Sequence, residues 1–87
     1  ERLVAAVTAR FGGVDLLVNC ASTWLSKPLE ATGAADLIDE FSTNTLGTFL
    51  VSKLVGLGMC TRPSGGHIVT IGDWAIERPY REHAAYH

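Results

Sequence analysis

Two short apolar runs on either side of a long stretch with helical periodicity constrain the fold of this chain most strongly. Residues 14–18 form the first run, interrupted only by Asp15, and residues 67–71 form the second. Residues 34 to about 60 place their apolar side chains at helical spacing. Near-continuous apolar runs are typical of parallel-sheet strands that are covered on both faces. The order predicts a right-handed βαβ crossover between neighbouring parallel strands.

The flanking segments extend this α/β pattern. Residues 1–10 read as a helix that Gly12 and Gly13 terminate, and residues 19–33 read as a loop. A further helix is expected to start after Pro79. Because the chain begins within a helix and stops one residue after Tyr86, we expect it to be an internal piece of a longer protein.

Asp73 and Tyr86 are the leading candidates for chemistry. Asp73 lies just beyond the second predicted strand, and Tyr86 follows thirteen residues later at the predicted helix start. Strand ends and the following helix starts meet at the carboxyl edge of a parallel sheet, where ligands bind. The spacing predicts that both side chains reach one pocket. Taken alone, a carboxylate in this position is more often a helix cap or turn former.

Composition excludes several classes of partner. The chain has 47% hydrophobic and 18% charged residues and a net charge of −2, which fits a globular interior and offers no basic surface for nucleic acid or an anionic membrane. Cys20 and Cys60 lack metal-site or disulfide spacing and are expected to be reduced, buried apolar side chains. No signal-peptide pattern is present, so a cytoplasmic location is expected.

Four sequence blocks occur together in the order found in one enzyme family. They are DLLVNCAS (residues 15–22), NTLG (44–47), GHIV (66–69) and Tyr86. In these blocks the chain resembles the middle of a short-chain dehydrogenase/reductase. The resemblance implies a fragment of a doubly wound, parallel-sheet Rossmann fold. It makes residues 1–87 the central part of one dinucleotide-binding reductase domain, with the Gly-rich phosphate loop upstream and the active-site lysine three residues past His87.

Two departures from the general family pattern resemble the pteridine reductase branch. Most members have a serine where this chain has Asp73, whereas pteridine reductases have an aspartate. Those enzymes also end the earlier block in Ala-Ser and have an aromatic residue shortly afterwards, which matches Ala21, Ser22 and Trp24. Cys20 replaces a family asparagine.

The resemblance assigns three sets of residues. The catalytic set is Asp73, Tyr86 and Asn44. The cofactor-binding set is Asn19, Cys20, Ala21, Ser22 and Tyr86. The substrate-binding set is Trp24, Asp73 and Trp74, with Trp24 expected to stack on the heterocycle and Trp74 a candidate pocket wall. The implied cofactor is NADPH, with NADH left open, and the implied substrate is a pterin, a dihydropteridine or a folate-like compound. Association of identical subunits through residues 34–60 is also implied.

Several alternatives remain beside these assignments. One alternative is a short-chain enzyme with the same fold and cofactor that acts on a ketone, an aldehyde or an alcohol. Another is a non-catalytic protein of this fold that binds a dinucleotide. Asn44 is alternatively a solvated helix residue, and either tryptophan alternatively serves packing alone. His83 and His87 have metal-ligand spacing but no third ligand in register, so no metal site is expected.

Overall fold

The computed structural model describes all 87 residues and contains three α-helices and two β-strands. The α-helices are α1 (Arg2–Phe11), α2 (Ala34–Phe41) and α3 (Thr48–Cys60), and the strands are β1 (Leu16–Asn19) and β2 (His67–Thr70). A π-helical segment, Ser42–Gly47, separates α2 from α3, and single 3-10 turns cover Leu29–Ala31 and Trp74–Ile76. No helix combines the length and the apolar character that a membrane crossing needs.

The chain divides into two compact units. The first, here called the sheet unit, consists of Glu1–Cys20 and Thr48–Ile71. The second, here called the loop unit, consists of Ala21–Gly47 and Gly72–His87.

In the sheet unit, β1 and β2 pair in parallel, with Leu16 opposite His67 and Asn19 opposite Thr70. Helix α3 packs against both strands and against α1, and its Val55 and Met59 are buried. The predicted pairing of neighbouring parallel strands is therefore confirmed. The fold class predicted from the sequence, a fragment of a Rossmann-type α/β fold, is confirmed as well.

Local sequence explains the ends of these elements. Gly12 adopts a left-handed φ of 83° and donates its N–H to the carbonyl of Thr8, which ends α1 as predicted. The Arg62 guanidinium donates to the carbonyl of Val14 at 3.0 Å and forms an ion pair with Asp15. Asp15 therefore serves the entry to β1.

Two expectations about burial are wrong. All four residues of β2 and alternate residues of β1 are exposed, because α3 is the only helix that packs against the two strands. Cys20 and Cys60 are also exposed, Cys20 directly after β1 and Cys60 at the end of α3. An apolar run indicates a strand, but it does not state how many of the strand's faces are covered within the same chain.

The predicted single helix over residues 34–60 is interrupted by the π-helical segment. Gly33 caps the start of helix α2, and its N–H donates to the Asp36 carboxylate at 2.7 Å. The Lys27 ammonium donates to the same carboxylate at 2.8 Å. The pKa of Asp36 lies below its ordinary value, chiefly because Gly33 donates to the carboxylate and secondly because Lys27 does. After Pro79 the chain forms turns, and the predicted helix start is one turn in which Tyr86 and His87 donate to the carbonyl of His83.

Candidate active site

Asp73 is fixed by its own backbone surroundings in the loop unit. It precedes the short turn Trp74–Ile76, and its Oδ1 accepts a hydrogen bond from the N–H of Ala75 at 2.9 Å. The turn-forming role that this position alone suggests is therefore real. It uses one carboxylate oxygen and leaves the other for a second partner.

Tyr86 is that second partner. Its hydroxyl donates to Oδ2 of Asp73 at 2.8 Å, so the two side chains converge as their spacing predicts. Both line a cleft of about 270 Å³, together with Asn44, Ala75, Ile76 and His87. A shared cleft with a carboxylate, a phenol and apolar walls has the composition of a small-molecule site.

The hydrogen bond between Asp73 and Tyr86 shifts the pKa values of the two groups in opposite directions. The pKa of Asp73 lies below its ordinary value, first because Ala75 donates to the carboxylate and second because Tyr86 does. The pKa of Tyr86 lies above its ordinary value, chiefly because the phenol donates to Asp73, with smaller contributions from desolvation and from Glu40. The Ser22 hydroxyl acts in the opposite direction. At neutral pH the pair is therefore a carboxylate beside a protonated phenol.

Asn44 lies in the π-helical segment, and its amide holds a neighbouring loop. Its Oδ1 accepts from the N–H of Thr23 at 2.8 Å, while its Nδ2 donates to the carbonyl of Thr23 at 2.9 Å. The same Nδ2 donates to the carboxylate of Glu40 at 3.1 Å, and Glu40 is only 5% exposed. Asn44 therefore lines the cleft and also ties the loop that contains Trp24 to the helical segment.

The residues expected to meet a dinucleotide lie at the end of strand β1 and directly after it. The amide of Asn19 donates to the hydroxyls of Ser52 at 2.9 Å and Thr70 at 3.2 Å, so in the sheet unit this side chain cross-links the carboxyl end of the sheet to α3. Cys20 is exposed and small, which leaves the backbone beside it accessible. This arrangement fits a cofactor that approaches the main chain closely at a strand end.

Ala21 and Ser22 extend this small-residue segment in the loop unit. Both are exposed, and the Ser22 hydroxyl donates to the carbonyl of Thr23 at 3.3 Å. Their short side chains do not obstruct a ligand at the main chain, so they fit the cofactor-binding assignment.

The two tryptophans do not line the Asp73–Tyr86 cleft. Trp24 stacks on His83, with ring centroids 4.4 Å apart and an angle of 13° between the planes, and it borders a separate hollow beside α2. Trp74 meets the ring of Tyr80 edge-on at 5.7 Å. Tyr80 also contacts Trp24 edge-on at 5.9 Å. Both indoles are 59% exposed.

Sequence reasoning missed three residues around this site. Glu40 is the one buried residue of α2, and its sequence neighbours gave no signal of this, because the apolar residues of the helix are exposed. Tyr80 bridges the two tryptophans, and only the local density of aromatic residues hints at that role. His83 was considered solely as a metal ligand with His87. In the structure its Nδ1 lies 2.9 Å from the carbonyl of Leu25.

Comparison with known proteins assigns the family. The family model for short chain dehydrogenase matches residues 1–87. D-threitol dehydrogenase of Mycolicibacterium smegmatis is 36% identical over 81 residues, which are 93% of this chain and 31% of that protein. L-xylulose reductase of Mesocricetus auratus is 39% identical over 77 residues, which are 86% of this chain and 31% of that protein.

Solved structures give the same result. Acetoin dehydrogenase from Enterobacter cloacae matches 98% of this chain and 34% of its own, with a TM-score of 0.89 and 30% identity. The NADP-bound structure of ElxO matches 98% of this chain and 34% of its own, with a TM-score of 0.85 and 29% identity. The chain spans about a third of the length of the relatives it matches. It belongs to the short chain dehydrogenase family.

Proposed function

We propose that the full-length protein is an NAD(P)-dependent oxidoreductase that interconverts a carbonyl compound and the corresponding alcohol, with Tyr86 as the proton donor. The observation that carries the proposal is the hydrogen bond of 2.8 Å from the Tyr86 hydroxyl to Asp73, two residues that line one cleft. The similarity to proteins named for threitol, xylulose and acetoin supports a hydroxyl or carbonyl substrate.

The chemistry needs a hydride and a proton on one positioned substrate. Bound NADPH would supply the hydride to the carbonyl carbon. Tyr86 gives its proton to the carbonyl oxygen, so that the C=O bond becomes a CH–OH group. The phenolate left behind faces the carboxylate of Asp73, and like charges at this distance favour rapid reprotonation from solvent. The hydrogen bond to Asp73 raises the pKa of Tyr86, so at neutral pH the phenol carries the proton that reduction consumes.

NADPH is the proposed cofactor, with NADH as the alternative. The proposal is supported by the small, exposed residues after β1 and by the NADP-bound relative. Cys20, Ala21 and Ser22 would present their backbone to the dinucleotide, while Asn19 keeps the strand end in place. Tyr86 would contribute its hydroxyl beside the nicotinamide.

A second candidate substrate is a pterin or a folate-like heterocycle, and Asp73 is the observation that favours it. An ionised carboxylate only accepts hydrogen bonds, so it cannot donate to a carbonyl as the usual serine hydroxyl does. It can accept from the N–H groups of a pterin, and in its protonated form it can donate to a ring nitrogen.

Turnover by the full-length protein tests the proposal. Loss of NADPH or NADH absorbance is followed with ketoses, acetoin and dihydropteridines as substrates. Turnover of ketoses or acetoin supports the carbonyl proposal, and turnover of dihydropteridines alone supports the second candidate. If no substrate is reduced with either cofactor, the oxidoreductase proposal is wrong and a non-catalytic dinucleotide-binding protein becomes the better description.

Replacing Asp73 separates the two substrate classes. The Asp73→Ser variant restores a neutral hydroxyl donor, so reduction of a carbonyl should be retained or improved. Reduction of a pterin should fall by about tenfold or more, since the acceptor for its N–H groups is lost. Asp73→Ala is the matched control, because it removes the carboxylate without supplying a hydroxyl. Reduction of a pterin should fall in this variant as well, and reduction of a carbonyl should not improve.

A further inference from the structure

His83 makes two contacts with the segment that follows Ser22. Its ring stacks on Trp24 at 4.4 Å, and its Nδ1 lies 2.9 Å from the carbonyl oxygen of Leu25. A carbonyl oxygen only accepts hydrogen bonds, so Nδ1 must carry the proton. The hydrogen bond to Leu25 thereby fixes the tautomer of the imidazole, and the stacking on Trp24 fixes the orientation of its ring plane.

The backbone next to His83 is held in the same place. The N–H of Lys27 donates to the carbonyl of Glu82 at 2.6 Å, and Lys27 and His83 form an isolated parallel bridge. Glu82 has a φ of 62°, the only residue other than glycine with a positive φ. A side-chain-bearing residue stays in this region only where surrounding contacts over-determine it. The contacts with Leu25 and Lys27 supply that constraint.

The position of Tyr86 depends on this arrangement. The carbonyl of His83 accepts from the N–H of Tyr86 at 3.0 Å and from the N–H of His87 at 3.2 Å. The turn that contains Tyr86 therefore starts on His83. From that turn, the phenol reaches Asp73 at 2.8 Å.

We propose that His83 is a positioning residue, which holds the turn containing Tyr86 in register with Asp73 by stacking on Trp24 and bonding to Leu25. Trp24 then acts as the platform for His83, and one face of its indole is already occupied by the imidazole. The catalytic consequence rests on the proposed function of Tyr86 as proton donor. His83 itself does not touch the reacting atoms.

Three substitutions in the full-length protein separate the two contacts. His83→Phe keeps the stacking and loses the hydrogen bond, His83→Asn keeps a donor near Nδ1 and loses the stacking, and His83→Ala loses both. We expect kcat to fall about fivefold in each of the first two variants and at least about twentyfold in the third. KM for the cofactor should not change. His67→Ala, at the exposed start of β2, is the matched control and should behave as wild type.

A second readout does not depend on activity. The phenolate absorbance of Tyr86 is titrated with alkali and isolated by subtracting the curve of Tyr86→Phe. Asp73, Glu40 and Ser22 act on this phenol and are present in all the His83 variants. In His83→Ala the transition should move to lower pH, because the hydrogen bond to Asp73 that raises the pKa of Tyr86 is no longer held.

A double-substitution cycle tests the role of Trp24. If His83 acts through this platform, Trp24→Ala with His83→Asn should lower kcat no more than His83→Asn alone, because the stack is already absent. Full additivity would overturn the platform role.

Three results would overturn the positioning role. The first is an unchanged kcat in His83→Ala. The second is a His83→Ala variant in which only the melting temperature falls, while kcat and the phenol titration stay as in wild type. The third applies if the wild type reduces no substrate, and it is a phenol titration of His83→Ala that equals that of the wild type. If the wild type is inactive but the titration still shifts, the proposed function fails and the positioning role stands.

Discussion

The two units differ in the kind of bond that predominates within each of them. In the sheet unit, main-chain bonds pair β1 with β2, and α3 packs against both strands through buried side chains such as Val55. In the loop unit, side chains bond directly to main-chain groups. Asn44 holds Thr23, and Asp73 holds Ala75.

This difference coincides with where the displaced pKa values and the proposed proton donor lie. The three groups whose pKa values are displaced, Asp36, Asp73 and Tyr86, all belong to the loop unit. A regular element satisfies its own backbone, so its side chains are available for packing. An irregular segment needs side chains to satisfy its backbone, and the same fixed polar groups can then hold or move protons. Substitutions in the two units should therefore have separable effects on turnover and on stability.

The largest effect is expected at Tyr86. Tyr86→Phe removes the proton donor and should lower kcat by about 100-fold or more, while cofactor affinity changes little. Initial rates of NADPH oxidation and cofactor fluorescence measure the two quantities in the full-length protein. Tyr80→Phe is the control, since it keeps the ring contacts with both tryptophans. Equal rates for Tyr86→Phe and wild type would contradict the assignment.

Asn44→Ala should lower the stability of the loop unit. The substitution leaves the N–H and the carbonyl of Thr23 and the buried carboxylate of Glu40 without this partner, at a cost of about 2–3 kcal/mol. The midpoint of denaturant unfolding measures the change, and Thr45→Ala, in the same π-helical segment but exposed, is the control. A loss no greater than that of the control would show that the pairing contributes little.

Gly66→Ala should affect stability alone, because it lies in the sheet unit. A Cβ at this position would stand 2.6 Å from the side chain of buried Met59, and the resulting displacement should cost about 1–2 kcal/mol. Gly58→Ala in α3 meets no atom within 4 Å and should instead stabilise by about 0.5–1 kcal/mol. Thermal melting and kcat are measured for both. A fall in the kcat of folded Gly66→Ala would break the separation between the units.

The smallest expected effect is the loss of the stability contribution of Asp73 at low pH. The folded-state pKa of Asp73 is depressed, so its contribution to stability is present above the unfolded value and is lost as pH falls through the folded value. The difference in unfolding free energy between wild type and Asp73→Asn should therefore shrink as the solution is acidified. Denaturant titrations at a series of pH values measure it. A difference that is independent of pH would mean that the carboxylate gains nothing from Ala75 and Tyr86.

The sheet unit could be predicted from sequence because its signals are periodic. Apolar runs located both strands to within two residues, and Gly12 and Gly13 located the end of α1. The convergence of Asp73 and Tyr86 followed from the same topology, since both lie beyond a parallel strand. The exposure of Cys20 and Cys60 could not be predicted, because an apolar pattern does not specify the coverage of a face.

The loop unit was harder to predict for a physical reason. A π-helical segment of six residues is too short to leave its own period in the sequence. A side chain that bonds to a main-chain group, as Asn44 does to Thr23, places no demand on the identity of its partner. The role of His83 was invisible for the same reason, because the acceptor on Leu25 is a carbonyl that every residue carries.

Both tryptophans of the chain, Trp24 and Trp74, lie in the loop unit. Within this chain, tryptophan fluorescence therefore reports on the loop unit and does not report directly on the helices and strands of the sheet unit. Because the imidazole of His83 lies flat against the indole of Trp24, a ligand that disturbs this stack should change the Trp24 emission. The chain thus carries a built-in optical reporter, and no dye needs to be attached to follow how the region around the phenol responds to a ligand.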